Sequence, residues 1–240
     1  MILAVLFLTL MQTPQSPPAP DLATQADDPA NVIESFPAQK DWEPNADPQS
    51  AEWSGVLGIK ATRDYMGQAV ALPPTEVRSR WTHKNLYLLF VCPYDELYLN
   101  PNPATTQETN KLWDWDVAEA FIGSDYLQIS RYKEFQVSPQ GEYVDLDIDQ
   151  DDPKSPREAV EWQSGFTVRG RIEAQKKIWV GEMRIPFASL DLKAPKAGDE
   201  LRIGLFRIAG PEPRRVYIAW RPTGAKTFHV PGAFGSLVLK

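Results

Sequence analysis

The stretch Trp113-Asp114-Trp115-Asp116-Val117-Ala118-Glu119-Ala120-Phe121-Ile122 places a carboxylate among aromatic carbon, with two indoles just upstream. Read as a strand, it turns Ala118, Ala120 and Ile122 to one face and Val117, Glu119 and Phe121 to the other. A second run, Arg131 to Ser138, has the same division. Phe135 and Val137 share a core parity, while Tyr132, Glu134 and Gln136 share the opposite one. If the two strands are neighbours, Glu119, Tyr132, Glu134 and Gln136 line one face. Alternating polar residues also describe a solvated outer face, and the tryptophans Trp113, Trp115 and Trp162 also fit packed edge positions. A planar ring beside a hydrogen-bonding acid suits a ligand with an apolar C–H face and a rim of hydroxyls, as a sugar has.

Other chemistries find less support. Two carboxylates on one face raise glycoside hydrolysis, but no spacing in the sequence singles out an acid and its partner. The only histidines are His83 and His229, and no Gly-x-Ser-x-Gly motif occurs, which argues against a serine or cysteine triad. Asp147, Asp149, Asp151 and Glu158 imitate the spacing of a calcium loop. Asp152 stands where that loop needs glycine, and Pro153 and Pro156 follow, so an EF-hand is rejected while a structural calcium on this acidic loop stays open. Cys92 is the single cysteine, which excludes an intrachain disulfide and a site built on cysteine pairs; within an apolar run it reads as a buried, inert thiol. A formal net charge of −7 and the lack of a clustered basic patch argue against nucleic acid and anionic membrane surfaces as partners.

The elements that must carry these residues are short strands. Fourteen glycines and 22 prolines in 240 residues punctuate the chain too often for a helical bundle. Thr75 to Thr82 and Leu86 to Cys92 read as a hairpin whose turn holds His83. Asn100 to Lys111 is a long polar loop leading to Trp113. Tyr143 to Ile148 follows a Pro139-Gln140-Gly141 turn. Phe166 to Ile172 and Ile178 to Ile185 form a second hairpin, Pro186 to Leu190 suits one helical turn, and Leu201 to Ile208, Val216 to Trp220 and Ser236 to Leu239 complete the set. This spacing predicts an all-β fold, a two-sheet antiparallel β-sandwich of jelly-roll kind. At the amino end, Ile2 to Met11 has the length of a signal-peptide core, though its start lacks basic residues and no clean cleavage site follows. Residues 1–20 are therefore read as a signal peptide, 21–40 as a disordered tether rich in Pro, Ala, Gln and Asp, and 41–240 as the folded domain. Export to the periplasm or the exterior follows.

The residues resemble family 9 carbohydrate-binding modules. The resemblance lies in Trp113 followed by Asp116-Val117-Ala118-Glu119-Ala120-Phe121-Ile122. It continues in the early hairpin Glu76-Val77-Arg78-Ser79-Arg80-Trp81 with Asn85-Leu86-Tyr87-Leu88, in Glu182-Met183-Arg184-Ile185-Pro186, in Ala219-Trp220 and in Phe234-Gly235-Ser236-Leu237. It spans roughly Trp42 to Lys240. The resemblance implies a DOMON-like sandwich in which two aromatic side chains clamp a sugar ring while acidic, amide and arginine groups hold its hydroxyls. Carried over, Trp113 is one wall, Phe228 lies near the second, Glu119 is the acid beneath, and Glu134 and Gln136 fall where the family places an amide and an arginine. Gln136 departs from the arginine, and Phe is a smaller platform than the tryptophan related modules carry. His229 stands beside the second wall, or caps its turn; Trp220 matches a framework position. The implied function is non-catalytic glycan binding without a cofactor, serving polysaccharide capture or catabolism. The rival implied by the same relatives is a haem-binding or redox domain, drawing on His229 or His83 with Met66 or Met183; a third is an accessory with weak glycosidase activity.

Overall fold

The computed structural model describes residues 31–156 and 162–240. The expected signal peptide and most of the tether lie outside the described residues, as does Glu158. Thirteen strands fill the described residues: β1 (Val32–Pro37), β2 (Ile59–Ala61), β3 (Arg63–Asp64), β4 (Thr75–Trp81), β5 (Asn85–Pro93), β6 (Val117–Gly123), β7 (Arg131–Val137), β8 (Tyr143–Asp149), β9 (Thr167–Glu173), β10 (Ile178–Pro186), β11 (Glu200–Ala209), β12 (Val216–Ala219) and β13 (Gly235–Leu239). The fold is all-β, and helical structure among these residues is limited to single 3-10 turns.

One hydrogen-bonded path runs β8-β7-β6-β11-β13-β1-β4-β5-β10-β9, with β12 attached to β11 and β2 to β4. The path folds over so that side chains from its two ends share one core. Leu86, Leu88 and Phe90 of β5 and Trp179, Met183 and Ile185 of β10 belong to the same buried cluster as Ala118, Ala120 and Ile122 of β6 and Phe135 and Val137 of β7. The contact is close enough that a Cβ on Gly181 would stand 2.7 Å from Val137 Cγ1.

Two features differ from the expectation. β1 lies inside the stretch read as a tether, and it pairs in parallel with both β13 and β4, whereas the sequence predicted antiparallel pairing throughout. Val32, Ile33 and Phe36 suit a strand, but the run is short and ends on a proline; it is held by the two ladders it fills and by Ile33, which is buried in the core. The join it makes gives a continuous sheet path where two separate sheets were expected.

Each half of the path is also covered on its outer face. Over β4, β5 and β10 lies the segment following residue 40: Trp42 stacks on Tyr87 with ring centroids 3.5 Å apart and meets Trp53 edge to face. Glu182 of β10 ties this cover down, accepting from Trp42 Nε1 at 2.8 Å, Trp53 Nε1 at 3.1 Å, and the Asn45 and Ala46 amides at 2.8 and 2.7 Å. The outer face of the β8-β7-β6-β11 half is covered only in part, by the segment that returns through residues 226–234, and a cleft remains there.

Candidate functional site

The cleft floor follows from strand register. Val144 of β8, Gln136 of β7, Glu119 of β6 and Phe206 of β11 stand directly across from one another in one row. Leu146, Glu134, Phe121 and Gly204 form the next. Glu119 and Glu134 are thus diagonal neighbours on one face, within reach of each other's charge. A Cβ on Gly204 would stand 2.6 Å from the Phe206 ring and 3.0 Å from that of Phe234, so only glycine lets both rings settle there.

Aromatic rings make the walls. Phe121 packs against Phe206, Phe234, Tyr132 and His229, while Tyr65 and Tyr217 meet the edge of Phe228. The cavity measures about 610 Å³, within the range of small-molecule sites. All six residues named from the sequence, Trp113, Glu119, Glu134, Gln136, Phe228 and His229, line it.

Their settings differ from the simplest expectation in three ways. First, the polar face is buried: Glu119 and Glu134 are each 2% exposed and Gln136 is fully buried, because the returning segment and the aromatic walls close over them. Secondly, Phe228 is 7% exposed and stacks face to face on Phe206, with centroids 4.3 Å apart, so one ring face is already occupied. Thirdly, Trp113 and Trp115 precede the strand. Trp113 sits in a 3-10 turn, Leu112–Asp114, half-buried against the cleft cluster, whereas Trp115 packs on Tyr98 with centroids 4.7 Å apart.

Arg215 fixes that turn. Its Nη2 donates to the Trp113 carbonyl at 2.7 Å and to that of Trp115 at 3.0 Å, its Nη1 donates to the Gly210 carbonyl at 3.0 Å, and the guanidinium lies 5.6 Å from the Tyr98 ring centre. Nothing in the local sequence signals this clamp; the arginine comes from the loop before β12. Tyr65, Tyr132 and Tyr217 of the walls were likewise not named as site residues. For Tyr132 the strand parity shared with Glu134 and Gln136 carried the signal; for Tyr65 and Tyr217 there was none.

Electrostatically the floor is strained. Burial, then repulsion from Glu134, holds the Glu119 carboxyl well above the usual range, and only the Arg215 charge opposes this. Burial likewise raises Glu134, offset in part by the Gln136 amide, whose Nε2 donates to Glu134 Oε1. Glu134 Oε2 and Gln136 Oε1 are buried without a hydrogen-bond partner. His229 Nδ1 lies 2.7 Å from the Tyr132 hydroxyl, and its Nε2 is 4.0 Å from Glu134 Oε2. Partial burial lowers the His229 pKa. Glu119 and Glu134 rise from the same floor, whereas carboxyls that hydrolyse a glycoside flank the bond they cleave.

The remaining candidates lie elsewhere. His83 is exposed in the β4–β5 turn, edge-on to Trp81. Met183 is buried in the shared core, and Met66 is 44% exposed. Trp162 lies beneath Lys133, whose Nζ is 5.2 Å from the ring centre. Trp220 belongs to the core, where it meets Gly235. Cys92 is buried and its thiol pKa is pushed up to about 12 by burial. Asp147 pairs with Lys133 and Asp149 with Arg131, and among the described residues no group of three or more His, Cys, Asp and Glu side chains is placed to hold a metal ion. No helix among the described residues is long and apolar enough to cross a membrane.

The all-β domain thus carries, on one sheet face, a ring-walled, hydrogen-bonding cleft of the size of small-molecule sites. The family model described as carbohydrate family 9 binding domain-like matches residues 48–240, and the chain belongs to that family. Similar solved structures include a Bacteroides uniformis ATCC 8492 protein provisionally called carbohydrate-binding: 13% identity, 88% of this chain, 99% of that one, TM-score 0.69. A family 9 module from Caldicellulosiruptor kristjanssonii in complex with cellotriose has 15% identity, covering 87% of this chain and 93% of that one, with a TM-score of 0.57. The same description with glucose bound gives 14% identity, 86% and 95% coverage, and a TM-score of 0.56. A curated relative from Arthroderma benhamiae, called an extracellular protein, is 24% identical over 199 residues, covering 78% of this chain and 86% of the relative.

Proposed function

We propose that this chain is an exported, non-catalytic carbohydrate-binding module that seats a sugar in the cleft between Trp113 and Phe228. The observation that carries this is the convergence, in one cavity, of both aromatic residues with Glu119, Glu134, Gln136 and His229. The half-buried Trp113 offers the ring surface for C–H contacts, while the fully occupied inner face of Phe228 makes it a backing wall. Glu119, Glu134 and Gln136 then orient hydroxyls from below. In support, family 9 structures similar to this chain are described in complex with cellotriose and glucose, and a relative is named extracellular. The proposal includes a signal peptide over residues 1–20, a two-layer sandwich of the DOMON-like kind formed by the two halves of the sheet path, and a role in polysaccharide capture or catabolism.

An aromatic contact of this kind contributes about 1 kcal/mol, so micromolar or weaker affinity is expected. The test is a glycan array run with wild type and Trp113→Ala. Wild type should retain at least one glycan and the variant lose it, with thermal unfolding nearly unchanged because the turn's anchor is the Trp113 carbonyl. An array on which wild type retains nothing would end the reading.

A further inference from the structure

The cleft floor has an uneven hydrogen-bonding character: it is rich in acceptors and poor in donors. Glu134 Oε2 and Gln136 Oε1 are buried, lack partners and belong to residues lining the cavity. Glu119 adds a carboxylate that no hydrogen bond relieves. One of the two N–H groups of the Gln136 amide is already engaged by Glu134 Oε1. The lining cation is Lys226, which is exposed at the rim, and Arg215 is spent on three backbone carbonyls. His229 is drawn toward the neutral form by its partial burial. A neutral sugar hydroxyl can donate one hydrogen bond to such a floor and brings no charge with it. A protonated primary amine donates three and brings the charge that two adjacent buried carboxyls lack. Trp113, Phe121 and Tyr132 line the same cavity.

Resting on the carbohydrate reading, we propose that the sugar this cleft prefers is an amino sugar, its ammonium group seated between Glu119 and Glu134. The charged and titratable groups around that position are Glu119 from β6, Glu134 and Tyr132 from β7 and His229 from the returning segment, with Lys226 at the rim and the Arg215 charge acting on Glu119. Arg215 does not line the cavity, and its hydrogen bonds go to the carbonyls of Trp113, Trp115 and Gly210.

The experiment is titration calorimetry at neutral pH with three oligomers of equal length: a fully deacetylated glucosamine oligomer, its N-acetylated counterpart and a cello-oligosaccharide. A simple alkylamine serves as a control for charge alone. The glucosamine oligomer should bind at least roughly tenfold tighter than either neutral oligomer, and the alkylamine far more weakly. Glu119→Gln and Glu134→Gln keep shape and relieve repulsion, so both should fold; each should cost the glucosamine oligomer about tenfold more affinity than it costs the neutral oligomers, and so reduce the preference to near parity. Equal or tighter binding of the cello-oligosaccharide overturns the amino-sugar proposal and leaves carbohydrate binding standing. A preference that survives both substitutions, or alkylamine binding equal to the oligomer's, overturns it as well. Silence from all three oligomers removes the carbohydrate reading itself.

Discussion

Arg215→Ala is expected to loosen the turn that presents Trp113 without unfolding the sheet beneath it. The guanidinium makes three hydrogen bonds to carbonyls of two separate loops and rests on Tyr98, which in turn packs on Trp115. Hydrogen bonds to a charged group contribute about 1.5–3 kcal/mol when buried, and half-exposure of Arg215 argues for about 1 kcal/mol each. Loss of all three therefore amounts to about 3 kcal/mol, concentrated on the turn. At 1.4 kcal/mol per factor of ten, local opening should become roughly a hundredfold more frequent. The reporters are the amides of Asp114, Trp115 and Asp116, which bond to the carbonyls of Lys111, Leu112 and Tyr98. Hydrogen exchange should show their protection falling about a hundredfold while amides of β6 and β11 change little, and glycan affinity should fall with it. Unchanged protection at residues 114–116, or an equal loss across β6 and β11, would refute the assignment of Arg215 as the clamp of this turn.

Glu182→Ala removes the acceptor for four donors in the segment that covers β5 and β10, and should cost about 3–5 kcal/mol, read as a lowered unfolding midpoint with exposure of Trp42 and Trp53 fluorescence. Gly181→Ala forces a Cβ into Val137 at 2.7 Å and should destabilise by about 1–3 kcal/mol in denaturant titration, whereas the exposed Gly224, with open space around it, marks a position where the same test reads only backbone strain. Stability should also fall between about pH 4.5 and pH 7. Glu108 is raised to about 7 by burial and by Asp145, and Asp116 to about 6 by burial, so the folded chain holds protons that the unfolded chain has released. Groups raised in this way stabilise below the unfolded pKa and lose that contribution as pH climbs through the folded one; an unfolding midpoint that rises over this window would contradict the burial of these acids.

Much of the fold was legible because its strands are short and strictly alternating. The β4–β5 and β9–β10 hairpins and the β6, β7 and β11 strands fall where period-two patterning and turn residues put them. β1 was not legible, since its pairing is supplied entirely by partners distant in the sequence, and composition alone read it as tether. The cleft floor was readable from parity: Glu119 on β6 and Glu134 and Gln136 on β7 share a face because the two strands pair in register. What parity does not report is burial of that face, which depends on the returning segment, or the stacking of Phe228 on Phe206. Arg215 and the rings of Tyr65 and Tyr217 were missed for the same reason: they arrive from loops and a short strand whose placement is set by tertiary contact.

The parallel seam has a bearing on the order of folding. Val32 and Ser35 bond alongside Ser236 and Leu239, so this ladder closes a loop containing most of the chain. Such a closure is entropically costly and comes late. Until it forms, β13 and the Arg80–Trp81 end of β4 present bare backbone edges, the kind of surface on which chains cross-pair. The hairpins can assemble as each emerges from synthesis, but joining the two halves of the sheet path must wait for its final strand.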